Sequence, residues 1–201
     1  MNKELDIENL WNKYSNLLGK LNCEGTSALL EEQGQRIIEC TYSLKKSEPF
    51  CGVGGLVSYS LELVKTANKI SKALEYVTTT QSLIKVCLLS EVGAIGNLFA
   101  DRLILSTSEW HREKLGQLYE WNTGCNKYTI PHMSLFYINH YGIKLTWEEL
   151  LAIQLSMGMQ ADENKFYYGH VPQLALLLQM SKEATLLKQK RIINGTDCIP
   201  F

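Results

Sequence analysis

The amino-acid sequence predicts a mainly helical globule with one short extended insert, and three observations carry that prediction. Apolar residues recur at three- and four-residue spacing through most of the chain. No internal repeat, low-complexity tract or Pro/Gly/Ser-rich linker divides it, so residues 1–201 read as one domain. Only the region around residues 103–121 loses the helical period, and there "LILSTSEW" and "GQLYEWN" read as two short strands of a β-hairpin.

Taken in order, Leu5 to Leu18 is an amphipathic opening helix, and Thr26 to Leu44 follows with Leu29, Leu30, Ile37 and Ile38 as its buried stripe. Gly34 weakens this second helix without ending it. From Gly54, the positions Leu56, Leu63, Val64, Ala67 and Ile70 line one face of a third helix. Gln81 to Val92 is apolar almost all round, as a central buried helix would be, and it stops at Gly93. Helices resume after Pro131. Thr146 and Glu149 have capping-box spacing and open a helix running to Gly158. Pro172 suits the first turn of a last helix reaching about Arg191, with Leu174, Leu177, Leu178, Ala184 and Leu187 facing inward.

Twenty basic against twenty-one acidic residues leave a formal charge of -1, which excludes bulk electrostatic attraction to nucleic acid or anionic lipid. No run approaches the roughly 18 apolar residues needed to span a bilayer, and the N-terminus lacks the apolar core of a secretory signal. The expected location is therefore the cytoplasm, with no membrane partner. Cys23, Cys40, Cys51, Cys87, Cys125 and Cys198 show no CxxC pair or zinc spacing and read as free thiols. His111, His140 and His170 share no metal-ligand spacing and read as surface residues. Trp110, Tyr119, Trp121, Tyr167 and Tyr168 fall in or near the irregular segments, where exposed aromatics would mark a partner surface.

Four segments, in order, resemble the HD-domain metal phosphohydrolases, especially their small phage and bacterial members. Gly54-Gly55-Leu56 with Ser60-Leu61 is similar to the family's "GGLxEHSL", with Tyr59 in the His ligand position. Leu88 to Ala94, "LLSEVGA", is similar to "LLHDxxK", with Ser90 and Glu91 replacing the defining His-Asp pair. Ile143 to Gly158, "IKLTWEELLAIQLSMG", follows "IKLTxEExLAIRWHMG", with Ser156 for His. Leu177 to Thr185, "LLQMSKEAT", resembles "LHxADxxAT", with Leu178 and Ser181 for His and Asp. His132 lies in a segment similar to "GHGEKS".

The resemblance implies an HD-like helical fold with its core over about 50–187 and a helical extension over 1–49. It also implies that the metal site has been lost, because a divalent ion needs converging imidazoles and carboxylates in place of its water shell. No cofactor or metal is expected. Tyr59, Ser90, Ser156 and Ser181 either fill the old cavity or form a new polar pocket. The leading expectation is a catalytically inactive HD-fold pseudoenzyme, of phage origin and in the host cytoplasm. It acts as a regulatory factor by binding another protein or a second copy of itself. One alternative is a nucleotide or small-molecule binder using the remodelled pocket, with His132, Gln154 and Lys182 as candidate contacts. A second is a diverged metal-dependent phosphohydrolase built on Glu91 and His132.

Overall fold

The computed structural model describes residues 6–76, 78–193 and 195. Helix α1 (Ile7–Gly19) opens on Asp6, whose carboxylate accepts from the Asn9 amide at 3.0 Å and so satisfies one of the free donors of the first turn. Tyr14 and Leu18 turn into the core. Helix α2 (Thr26–Glu39) buries Leu29 and Ile37 but stops five residues short of the expected Leu44. The chain turns extended at Cys40, and the next residues satisfy their backbone by another route. The Gly52 amide donates to Thr41 Oγ1 at 2.9 Å, and the Tyr42 amide donates to the Phe50 carbonyl at 3.0 Å. This 40–54 loop returns the chain to the start of α3 (Gly55–Ala73).

Helix α3 is the hub, packing against α1, α2, α4 (Thr80–Leu89) and α8 (Gln173–Ile193). The approach to its first turn is very close. A Cβ on Gly55 would lie 2.1 Å from the Phe50 carbonyl oxygen, so only glycine lets the loop seat there. The second half of helix α4 is wholly buried, from Lys85 through Val86, Cys87 and Leu88 to Leu89, and Leu83 is buried before it. Each fully buried Leu or Val contributes about 1.5–3 kcal/mol of apolar transfer. The helix ends at Leu89, three residues before the expected Val92, and the chain continues through Ser90 and Glu91 into a 3-10 turn, Val92–Ile95.

Strands β1 (Leu103–Leu105) and β2 (Tyr119–Trp121) pair antiparallel, with Leu103 opposite Trp121 and Leu105 opposite Tyr119. They do not meet through a tight turn. A short helix α5 (Glu109–Lys114) lies between them, capped by Ser108 accepting from the His111 amide. Helix α6 (Ile130–His140) carries Pro131 in its first turn and packs on the 92–95 turn.

Helix α7 (Trp147–Gln154) begins with the capping box expected at Thr146 and Glu149. It ends as an α-helix at Gln154, and the Leu155–Gln160 segment is a 3-10 continuation broken at Gly158, whose φ is +74°. A further 3-10 segment, Asp162–Tyr167, leads to α8. Here Leu187 corrects the sequence reading, because it is 59% exposed. The buried face of α8 runs Leu174, Leu177, Leu178, Ser181, Thr185, so polar residues occupy inward positions. They fit because each hydroxyl donates back to the preceding turn, Ser181 to the Leu177 carbonyl at 2.6 Å and Thr185 to that of Ser181 at 2.7 Å. Among the described residues no helix is long and apolar enough to cross a membrane.

Candidate functional site

Glu91 is the centre of the polar cluster. It follows α4 directly, where the helix has just buried its apolar face, and its side chain has no solvent exposure. A lone carboxylate there would be very costly, and three donors offset that cost. Lys182 Nζ sits 2.7 Å from Oε1. The Tyr42 hydroxyl donates to Oε2 at 3.0 Å, and Ser90 Oγ donates to Oε1 at 3.3 Å. Lys182 Nζ also donates to Ser156 Oγ at 3.3 Å, so α8, α4, the 40–54 loop and the segment after α7 meet at one ion pair.

Tyr59 closes the cluster from α3. Its ring stacks on Tyr42 with centroids 4.0 Å apart and planes 21° off parallel, and Phe50 meets it edge-on at 5.2 Å. The Tyr59 hydroxyl is buried beside that of Tyr42 but makes no well-formed hydrogen bond among the described residues. Burial first, and then the nearby Glu91 carboxylate, push the Tyr42 and Tyr59 hydroxyls well above the ordinary tyrosine range. The same two causes raise the Cys87 thiol, which keeps it protonated and unreactive. Burial also raises the Cys51 thiol.

The structure thus brings together Tyr59, Ser90, Glu91, Ser156 and Lys182. Leu178 and Ser181 lie on the buried face of the same helix as Lys182, but Ser181 spends its hydroxyl on the Leu177 carbonyl and Leu178 is plain core. His132 does not join them. It is half exposed on α6 and faces Glu163 at 3.7 Å. Gln154 is half-buried at the end of α7, and its side chain makes no hydrogen bond among the described residues. Tyr42 escaped the sequence reading because it was assigned to the end of α2, and no motif marks a loop tyrosine as a carboxylate partner.

A divalent cation does not fit this donor set. Four hydroxyl-bearing side chains and one carboxylate offer few hard anionic ligands, and that carboxylate is already neutralised by an ammonium at 2.7 Å. Among the described residues, no three His, Cys, Asp or Glu side chains gather as metal ligands do. The cluster can do little acid or base chemistry on a substrate, because its one carboxylate has no exposed surface.

A second buried ion pair lies nearby in the fold. Lys85 on α4 meets Glu149 of the α7 capping box at 2.9 Å, with both side chains nearly buried. Burial pushes the Glu149 carboxyl up. The Lys85 hydrogen bond, the Thr146 amide and the Lys85 charge outweigh it and hold the group below the ordinary carboxylate range.

No family model, no curated protein and no solved structure matches the chain.

Proposed function

We propose that this chain is a catalytically inactive, HD-like helical scaffold that acts by binding another protein through its surface. The observation that carries the reading is the Lys182 ammonium 2.7 Å from the fully buried Glu91. On the resemblance, Glu91 stands where a metal-binding carboxylate would, and a lysine from the last helix supplies the positive charge that a cation would otherwise bring. An internal cation of this kind neutralises the buried carboxylate and leaves no open coordination position for substrate or water.

The surface supports the binding half of the reading. Phe99 is 94% exposed, and Leu105, Trp110 and Trp121 are each more than half exposed, all within or beside the β1–α5–β2 insert. Large aromatic side chains held in water are the residue types that dominate binding energy when a partner covers them.

The test uses the full chain with Mn, Mg, Ni or Zn, measuring thermal stability and hydrolysis of a nucleotide panel and a phosphomonoester. No metal-dependent stabilisation and no turnover are expected. Metal-dependent turnover abolished by Glu91→Gln would overturn the inactive reading. For the binding half, a stoichiometric partner co-purified from the native cell should be lost from Phe99→Ser and Trp110→Ser variants that remain folded. Retention of that partner by both variants would refute the assigned surface.

A further inference from the structure

A cleft of about 800 Å³ opens beside β2, lined by Arg102, Trp121, Asn122, Cys125, Lys127 and Tyr128 among others. Its volume falls in the range of small-molecule sites, roughly 300–1,000 Å³. Its lining contains two cationic residues and no carboxylate, in a chain whose formal charge is -1.

The cationic side chains are not used up by the protein. Arg102 is anchored by its Nε, which donates to the Ala94 carbonyl at 3.1 Å, and its guanidinium lies 5.1 Å from the centre of the Trp121 ring. That leaves its two terminal amino groups without a hydrogen-bond acceptor among the described residues. Lys127 has no ionic partner among the described residues either. Trp121 is 60% exposed, so much of its ring surface faces water.

Two of the lining residues are tied to the same turn. The Tyr128 hydroxyl donates to the Gly93 carbonyl at 3.1 Å, and the Gly93 amide donates to Ser134 Oγ at 2.8 Å. Ser134 Oγ in turn donates to the Ser90 carbonyl at 2.8 Å. Arg102 and Tyr128 therefore both hang on the Val92–Ile95 turn that follows Glu91. Pre-positioned groups of this kind lower the ordering cost of binding.

We infer that this cleft binds a small planar aromatic anion, with its ring against Trp121 and its negative group held by Arg102 and Lys127. The two terminal amino groups of a guanidinium recognise carboxylate and phosphate alike as paired donors, and the part of the indole that Arg102 does not cover supplies a stacking surface for a flat ring. A neutral ring would leave the two cations unpaired, and a bare inorganic anion would leave the indole uncovered.

The test is calorimetric titration of the full chain with indole-3-acetate and with adenosine monophosphate, which present a carboxylate and a phosphate on a flat ring. Indole, adenosine and inorganic phosphate serve as controls. At least one aromatic anion should saturate the protein below about 1 mM and bind about tenfold more tightly than its neutral ring or inorganic phosphate. Preference between the two anions identifies the head group. Arg102→Gln should weaken binding about tenfold. The exposed Lys127→Gln, which removes no internal contact, should weaken it about threefold. The bound anion should slow alkylation of Cys125 by iodoacetamide while leaving Cys23 alkylation unchanged. Failure of both aromatic anions to saturate the protein would overturn the inference, as would equal binding by the neutral rings or unchanged affinity in Lys127→Gln.

Discussion

Replacing Lys182 with methionine removes the ammonium from Glu91 while keeping most of the side chain's volume. Glu91 then retains the Tyr42 and Ser90 hydroxyls at 3.0 and 3.3 Å but loses the ion at 2.7 Å, and it has no exposed surface from which to recruit water. Stripping one partner from a buried pair costs about 3–5 kcal/mol, because the remaining charge stays desolvated. In a chain of this size each kcal/mol moves the melting temperature by about 2–4 °C, so Lys182→Met should lower it by about 6–20 °C. Urea unfolding at neutral pH measures the same loss as a lower midpoint with an unchanged slope. The double variant Glu91→Gln/Lys182→Met should recover much of that loss, since an amide can keep both hydroxyl contacts without a charge. Lys182→Met costing less than about 1 kcal/mol, or a double variant no more stable than the single, would refute the claim that this pair holds the site together.

Three other outcomes follow from the same packing. Tyr59→Phe removes a buried hydroxyl that makes no well-formed hydrogen bond among the described residues, so stability should hold or rise by up to about 1–3 kcal/mol in urea unfolding, whereas a loss would mean that the hydroxyl is bonded to Tyr42 in solution. Glu149 is held deprotonated more tightly in the folded chain than in the unfolded one, so the unfolded chain takes up the extra proton as pH falls. Its contribution is complete above the ordinary carboxylate range and is lost as pH drops through and below it. Glu149→Gln, which can keep the capping box, should flatten the acid limb of a stability–pH profile, and an unchanged limb would count against the buried pair. Gly93→Ala would place a Cβ 2.4 Å from the Ile130 carbonyl oxygen, and the forced separation of the 92–95 turn from α6 should cost about 1–3 kcal/mol by thermal unfolding.

Most of the helical frame was legible because it rests on local chemistry. The Thr146–Glu149 capping box, Pro131 and Pro172 at helix starts and the three- and four-residue apolar spacing each act over a single turn or helix face. Where the sequence reading missed the end of α2, long-range contacts had won. Helix α2 ended early because Thr41 and Tyr42 found partners eleven and eight residues ahead. The inward face of α8 was misread for a local reason instead, since Ser181 and Thr185 satisfy their hydroxyls on the preceding turn and so occupy buried positions, while Leu187 lies outward. The extended insert at 103–121 was recognisable from its loss of period, but the helix inside it rests on a six-residue segment too short to show a pattern.

The candidate site divides along the same line. Tyr59, Ser90, Glu91 and Ser156 could be singled out by their place in segments with a family resemblance, and Lys182 as a basic residue beside them. Nothing in a linear pattern fixes that a lysine's flexible four-carbon stem will reach a particular carboxylate, or that a loop tyrosine will cap its other oxygen. Nor does it separate His132, which lies against Glu163 at the surface, from residues of the cluster. The sequence alone determined which stretches coil into helices, because that depends on residue identity and near neighbours. The tertiary structure alone decided that Lys182, ninety-one positions from Glu91, is its counter-ion, because desolvation makes a buried charge select whichever opposite charge the packing of α3, α4 and α8 brings within reach.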